Sequence, residues 1–92
     1  IGNFAAETSD TMPKIREALA VSLANWTELV ATAIRAGQAD GSIQASLDAV
    51  PTARFLINSW EGAIVRMKIA ASREPLDDFF SFVFPLLTQK QN

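Results

Sequence analysis

Residues 48–72 are apolar on two sides when they are placed on a helical wheel. One side carries five residues that recur at spacings of three and four, Leu56, Trp60, Ala63, Met67 and Ala70. The other side carries Phe55, Ser59, Gly62, Arg66 and Ile69. A helix that is apolar over most of its circumference is packed against neighbours on more than one side. The segment therefore predicts a helix, with Asp48 as its N-cap, that one small subunit does not cover alone.

A long amphipathic helix is predicted before this segment. Residues 8–11 are N-cap residue types and Pro13 follows them, which favours a helix start. The apolar stripe of this helix is Ile15, Leu19, Leu23, Trp26, Val30 and Ala33. Asp40-Gly41 is a predicted stop, because glycine tolerates the left-handed conformation that often ends a helix.

A final helix is predicted from Pro75. It has one apolar stripe at Leu76, Phe80, Val83 and Leu87 and a second at Phe79, Phe82 and Leu86. Pro85 is expected to kink this helix or to end its regular part, because it removes a backbone hydrogen bond. Residues 1–7 are interpreted as the end of an earlier helix, and residues 89–92 as a frayed tail. Since no segment alternates like a strand, the predicted fold class is an all-α helical bundle.

The composition favours association and gives little support to catalysis. Of the 92 residues, 49% are hydrophobic and 20% are charged, whereas a domain of this size buries only roughly 60–65% of its unfolded surface. A partner, most simply a second copy, is therefore expected. The chain has no His and no Cys, so it lacks their metal and acid–base chemistry. The adjacent Asp77 and Asp78 are better explained by the positive end of a helix dipole. No enzyme activity, metal or cofactor is predicted.

The charge pattern argues against a nucleic-acid surface on this chain. The formal net charge is −2, and the eight Lys and Arg residues are scattered rather than clustered. No apolar run is long enough to span a bilayer, and the absence of cysteine fits a cytoplasmic protein. The chain opens on Ile1-Gly2 without an initiator Met, so it is interpreted as the middle or tail of a longer protein.

Four short patterns together resemble a known family. They are Gly2-Asn3-Phe4-Ala5-Ala6-Glu7, then Gly37-Gln38-Ala39-Asp40-Gly41-Ser42-Ile43 with Leu47-Asp48, then Trp60-Glu61-Gly62-Ala63-Ile64-Val65-Arg66-Met67-Lys68, then Pro75-Leu76 with Phe79. In this order and spacing they resemble the C-terminal domain of TetR-type transcription regulators. The subgroup is the one that includes repressors responding to N-ethylmaleimide-like electrophiles and to acrylate. The resemblance spans almost the whole chain.

The resemblance implies that the whole protein has two domains with separate functions. An N-terminal helix-turn-helix domain, absent from these 92 residues, would bind operator DNA as a dimer. The C-terminal domain would be all helical, with its last two helices pairing with those of a second subunit in a four-helix bundle. A small molecule bound in this domain would change the spacing of the DNA-binding heads. Without a cysteine in this chain, thiol-based sensing could use only upstream residues.

The candidate dimer interface is the second apolar side of the last two helices. It comprises Phe55, Ser59, Gly62, Arg66, Ile69, Phe79, Phe82, Val83 and Leu86. A glycine in mid-helix costs about 1 kcal/mol relative to alanine, so close packing is expected at Gly62. That packing is either the approach of two helices across a dimer axis, which we favour, or a tight contact inside one subunit.

The candidate effector-binding residues are Asn3, Phe4, Trp26, Trp60 and Glu61. The two tryptophans offer flat apolar walls with an N–H donor, although both also suit ordinary core packing. Glu61 either pairs with a polar effector or with a basic residue in the cavity, or it is solvated beside Arg54 and Asn58. The leading hypothesis is thus a homodimeric regulatory domain for a largely apolar effector. The rival hypothesis is a helical protein-interaction module without a small-molecule site.

Overall fold

Residues 11–89 are described by a computed structural model, in which they form three α-helices. They are α1 (Met12–Asp40), α2 (Ala49–Ala70) and α3 (Glu74–Thr88). Helix α2 packs against both α1 and α3. No described residue lies in a strand, so the all-α fold class predicted from the sequence is confirmed for this part of the chain. The predicted end of an earlier helix at residues 1–7 lies outside the described residues.

Helix α1 begins and ends where local signals predict. Thr11 precedes its first residue and Pro13 lies in its first turn. At the other end, Gly41 has φ +89°, the left-handed conformation expected of a glycine that ends a helix.

The core is built from small side chains at the C-terminal end of α1. Ala31 and Ile34 are buried against Ala49 and Ala53 at the start of α2. Four partly buried residues pack against this cluster, Val30, Ile43, Val50 and Leu56. The three alanines let the two helices approach closely around Ile34, the one large buried side chain of this cluster.

The predicted apolar stripe of α1 is only partly buried. Val30 packs at the edge of the core, but Ala33 is exposed, and the buried positions are Ala31, Ile34 and Gly37. Ile15, Leu19 and Leu23 are exposed as well. The 29 residues of α1 span about 43 Å, and no described residue covers their N-terminal half.

Helix α2 begins at the predicted N-cap and ends slightly before the predicted residue. Asp48 has an extended backbone in the N-cap position, but its side chain makes no capping hydrogen bond. The helix ends at Ala70, where Ala71 takes a left-handed conformation with φ +52° and its N–H donates to the Met67 carbonyl. The prediction of an end near Ser72 is thus two residues too long.

Helix α3 continues through Pro85 to Thr88. Of the two outcomes predicted at Pro85, the end of the regular helix does not occur, and the kink stays a prediction. Pro85 has no N–H to donate to the Ser81 carbonyl, but the helical pattern resumes after it, and the Gln89 N–H donates to the Pro85 carbonyl at 2.8 Å. Glu74 and Asp77 lie in the first turn, where negative charge is favourable. Within the three helices, none is both long enough and apolar enough to cross a membrane.

Candidate dimer interface and binding wall

A groove of about 590 Å³ lies between α2 and α3. Seven of the nine predicted interface residues line it, Phe55, Ser59, Arg66, Phe79, Phe82, Val83 and Leu86. Four further residues that were not predicted as interface residues also line it, Ala63, Glu74, Pro75 and Asp78. The two helices thus bring most of the predicted set together on one surface, which we call the α2–α3 groove.

The α2–α3 groove exposes large apolar side chains to solvent. Phe82 is 76% exposed and Phe55 is 55% exposed. Only Val83 and Ala63 among the lining residues are buried. Such contiguous apolar surface is uncommon on an isolated soluble subunit, and it marks sites where another surface binds.

The two remaining predicted interface residues lie beside the groove. Ile69, 80% exposed, lines a neighbouring depression that shares Arg66, Glu74 and Pro75 with the groove. Gly62 is exposed, and a Cβ built on it would have no heavy atom within 4 Å. Within the described residues, Gly62 therefore has none of the tight contact that the alternative interpretation required.

Charged side chains edge the groove without pairing inside it. Arg66, Glu74 and Asp78 all line it. The ion pairs found among residues 11–89 are elsewhere, between Glu28 and Arg35 at 3.9 Å and between Arg73 and Asp77 at 3.7 Å. Both signs of charge are thus available to a partner at the groove.

Four aromatic rings form a second feature, and three of them belong to α3. Trp60 makes edge-on contacts with Phe79 and Phe80 at centroid distances of 5.5 and 6.2 Å. Phe80 stacks on Phe84 at 6.0 Å. We call these four residues the aromatic cluster. Phe80 and Phe84 are exposed and do not line the groove, so the cluster presents apolar surface in another direction.

The connection between α1 and α2, residues 41–48, is tied to the end of α3. The backbone N–H of Gln44 donates to the Leu87 carbonyl at 2.8 Å, and its side-chain amide donates to the Leu86 carbonyl at 2.6 Å. Gln44 is only 9% exposed. Carbonyls in the last turn of a helix have no partner within that helix, so this connection supplies the missing donors. The sequence analysis did not identify Gln44, because a lone glutamine carries no local signal.

Comparison with known proteins places the chain in a family. A family model described as "Tetracyclin repressor-like, C-terminal domain" matches residues 1–83. The chain belongs to the TetR family. It is also similar to the HTH-type transcriptional repressor DhaR of Mycobacterium sp. (strain GP1), with 44% identity over 87 residues. A second relative, the transcriptional regulator AcuR of Cereibacter sphaeroides, is 33% identical over 79 residues. The resemblance read from the sequence is thereby confirmed.

The chain spans less than half the length of these TetR-family relatives. The match to DhaR covers 95% of this chain and 44% of DhaR, and the match to AcuR covers 86% of this chain and 36% of AcuR. No solved structure matches the chain. The described helices are therefore the C-terminal portion of a TetR-type fold.

The predicted effector-binding residues are not all brought together in this TetR-type domain. Trp60 lies in the aromatic cluster, whereas Trp26 is 37% exposed on α1 and contacts none of the four rings. Glu61 is exposed and makes no ion pair with any residue in the range 11–89. Asn3 and Phe4 lie outside the described residues. Phe80 and Phe84 extend the apolar wall that Trp60 begins, and the sequence analysis did not assign them to a site.

Proposed function

We propose that this chain is the dimerisation and effector-sensing part of a TetR-type transcription regulator. It pairs with a second copy through the α2–α3 groove, and it binds a small, largely apolar effector against the aromatic cluster. A helix-turn-helix domain outside these 92 residues carries the operator-binding function. The relative DhaR is named as a repressor of the HTH type, which supports this assignment.

The α2–α3 groove is the observation on which the dimer proposal rests. Burying one exposed phenylalanine such as Phe82 contributes about 1.5–3 kcal/mol to the free energy of association. In a two-fold symmetric dimer the same residues of both subunits are buried in this way. The bare backbone of Gly62 leaves room for a close approach of a partner helix. Arg66 and the two acidic residues at the groove supply complementary charges for a second copy.

The aromatic cluster supports the effector-binding part of the proposal. Binding sites for small molecules are mostly apolar and aromatic, with a few polar groups that orient the ligand. The Trp60 indole carries an N–H donor and contacts the Phe80 ring, which in turn stacks on Phe84. Glu61 adjoins Trp60 in the chain, and we retain it as a candidate polar partner for an effector. Trp26, Asn3 and Phe4 remain candidates from other parts of the domain.

Effector binding regulates DNA binding only when it favours one dimer geometry over another, because equal affinity for both geometries shifts no equilibrium. Phe79 contributes to both features, since it lines the α2–α3 groove and contacts Trp60 in the aromatic cluster. A ligand that moves the Trp60 ring therefore changes a surface shared with the dimer interface.

Two substitutions on α3 separate dimerisation from effector binding. Phe82→Glu places a charge in the groove, and Phe84→Glu places the same charge in the aromatic cluster, two residues along the same helix. In sedimentation equilibrium, the wild-type chain and Phe84→Glu should show a mass near twice 10.0 kDa. Phe82→Glu should be monomeric with unchanged helical circular dichroism. A monomeric wild type at micromolar concentration would overturn the dimer proposal.

The same two variants test effector binding in the full-length regulator. A panel of small electrophiles and apolar aromatic compounds should raise the melting temperature of the wild type, since a ligand that binds only the folded state stabilises it. Phe84→Glu should lose this response. If the wild type responds to none of the compounds, the helical protein-interaction module becomes the better account of the exposed faces.

A further inference from the structure

Gln44 joins two helices that are distant in sequence. Its side chain donates a hydrogen bond to the Leu86 carbonyl, 42 residues away in the chain, and its backbone N–H donates to the next carbonyl, that of Leu87. Its side-chain oxygen also accepts a hydrogen bond from the Ser46 hydroxyl. Water could satisfy one carbonyl at a helix end, but two donors from a single buried residue also fix where that helix end lies.

On its other side, Gln44 is held by the last turns of α1. The side-chain amide of Gln38 donates to the Gln44 carbonyl at 3.1 Å and to the Leu47 carbonyl at 2.8 Å. The Ile43 N–H donates to the Gly37 carbonyl at 3.0 Å. A continuous set of hydrogen bonds therefore runs from α1, through Gln44, to the last turn of α3.

The last turn of α3 carries a residue of the α2–α3 groove. Leu86 lines the groove with its side chain, while its carbonyl accepts the Gln44 side-chain hydrogen bond. Pro85 removes one of the hydrogen bonds that would otherwise hold this turn to the preceding one. The position of the Leu86 side chain therefore depends more on Gln44 than it would in an uninterrupted helix.

We propose that Gln44 is a positioning residue for the dimer interface, through which α1 sets the placement of Leu86 in the α2–α3 groove. Gln44 does not line the groove itself. This inference rests on the proposed homodimer, and it assigns to the α1–α2 connection a part in controlling dimer affinity.

The test compares dimer dissociation constants measured by sedimentation equilibrium on the 92-residue chain. Gln44→Glu keeps the shape of the side chain but replaces the donor to the Leu86 carbonyl with an acceptor, and Gln44→Met removes it without adding charge. Each should raise the dimer Kd about tenfold, equivalent to about 1.4 kcal/mol. Gln89→Glu is the matched control, because it adds the same charge at the exposed end of α3 and should change the Kd less than twofold.

A double-mutant cycle asks whether Gln44 acts through Leu86. Leu86→Ala removes the groove side chain but leaves the carbonyl in place, so its effect should be less than additive with that of Gln44→Met. Gln38→Met removes the two side-chain hydrogen bonds from α1 to the Gln44 and Leu47 carbonyls and leaves both Gln44 bonds to α3, and it should also raise the Kd. If the Gln44 variants lose their helical circular dichroism, Gln38→Met decides the question.

The possible outcomes separate this inference from the proposed function. Suppose that the wild type is dimeric and that the Gln44 variants unfold at lower temperature but dimerise equally well. Gln44 would then have a merely structural role, and the inference would be overturned. Strict additivity with Leu86→Ala would overturn it as well. A monomeric wild type, by contrast, would overturn the proposed dimer and remove the interface that Gln44 is inferred to position.

Discussion

Gly37 and Gly62 lie inside α1 and α2, respectively, in opposite surroundings. At Gly37 a Cβ would lie 2.5 Å from Cδ1 and 2.7 Å from Cγ1 of Ile43, so the missing side chain lets the connection fold back onto α1. At Gly62 a Cβ would meet nothing within 4 Å. Both glycines cost helix stability, but only Gly37 is explained by contacts inside the described part of the subunit.

Gly37→Ala should destabilise the subunit despite the better helix propensity of alanine. We expect a loss of about 1–3 kcal/mol, as for other overpacked sites, because Ile43 must move and its N–H bond to the Gly37 carbonyl must adjust. Urea unfolding measures the change. The control, Ala36→Gly on the exposed neighbouring position, reports propensity alone and should cost about 0.5–1 kcal/mol. A stabilised Gly37→Ala variant would contradict the contact.

At the scale of elements, the α1–α2 connection is ordered by its own side chains as well as by Gln44. The Asp40 carboxylate accepts hydrogen bonds from the backbone N–H of Ser42 at 2.9 Å and from its hydroxyl at 2.6 Å. The hydroxyl and then the backbone N–H of Ser42 hold the pKa of the Asp40 carboxyl below its usual value. The turn that follows Gly41 thus depends on a charged residue.

This charge makes the stability of the turn depend on pH. Because the folded-state pKa of Asp40 is depressed, its stabilising effect is fully present above the ordinary carboxyl pKa of about 4. That effect is lost as the pH falls through the folded-state value. Ser42→Ala should therefore lower the free energy of unfolding more at pH 7 than at pH 3, and urea denaturation at the two pH values measures the difference.

Ser72→Ala provides the control for this pH effect. The Ser72 hydroxyl accepts a hydrogen bond from the Glu74 N–H at 3.1 Å and pairs with no carboxylate, so its effect should vary much less with pH. Equal pH dependence of the two variants would contradict the proposed role of Asp40.

At the scale of the whole molecule, the described helices extend over 54 × 30 × 17 Å and leave apolar surface on several sides. The smallest extent, 17 Å, is less than two helix diameters, each of which is about 10–12 Å with side chains. So thin an arrangement has few positions that neighbours enclose completely. No side chain larger than alanine is fully buried among the described core residues. Partner surfaces are therefore expected to add much of the stability.

Stability should consequently depend on concentration if the proposed dimer forms. The melting temperature of the wild type should rise over about a hundredfold increase in concentration, because association stabilises the folded state by mass action. Gly62→Leu should abolish this dependence by blocking the approach of the partner helix. Lys68→Leu, which adds the same side chain at an exposed position about 120° around α2 from Gly62, should retain it. A wild-type melting temperature independent of concentration would count against the dimer.

Local sequence determined both ends of α1 and the start of α2, because capping depends on residues within one turn. Pro13, Gly41 and Asp48 occupy the predicted positions. The apolar periodicity likewise brought most of the predicted interface residues onto one surface, since the faces of a helix follow from its 3.6-residue period. The family could also be read from short patterns in order.

Only the tertiary structure decided which predicted faces are covered. The period of α1 does not reveal that Ala31 and Ile34 are buried while Ala33 is exposed, because this depends on where α2 crosses it. Nor does the local sequence of α3 reveal that this helix continues past Pro85 to a last turn held by Gln44. Both outcomes depend on contacts between segments far apart in the chain, and no local propensity encodes such contacts.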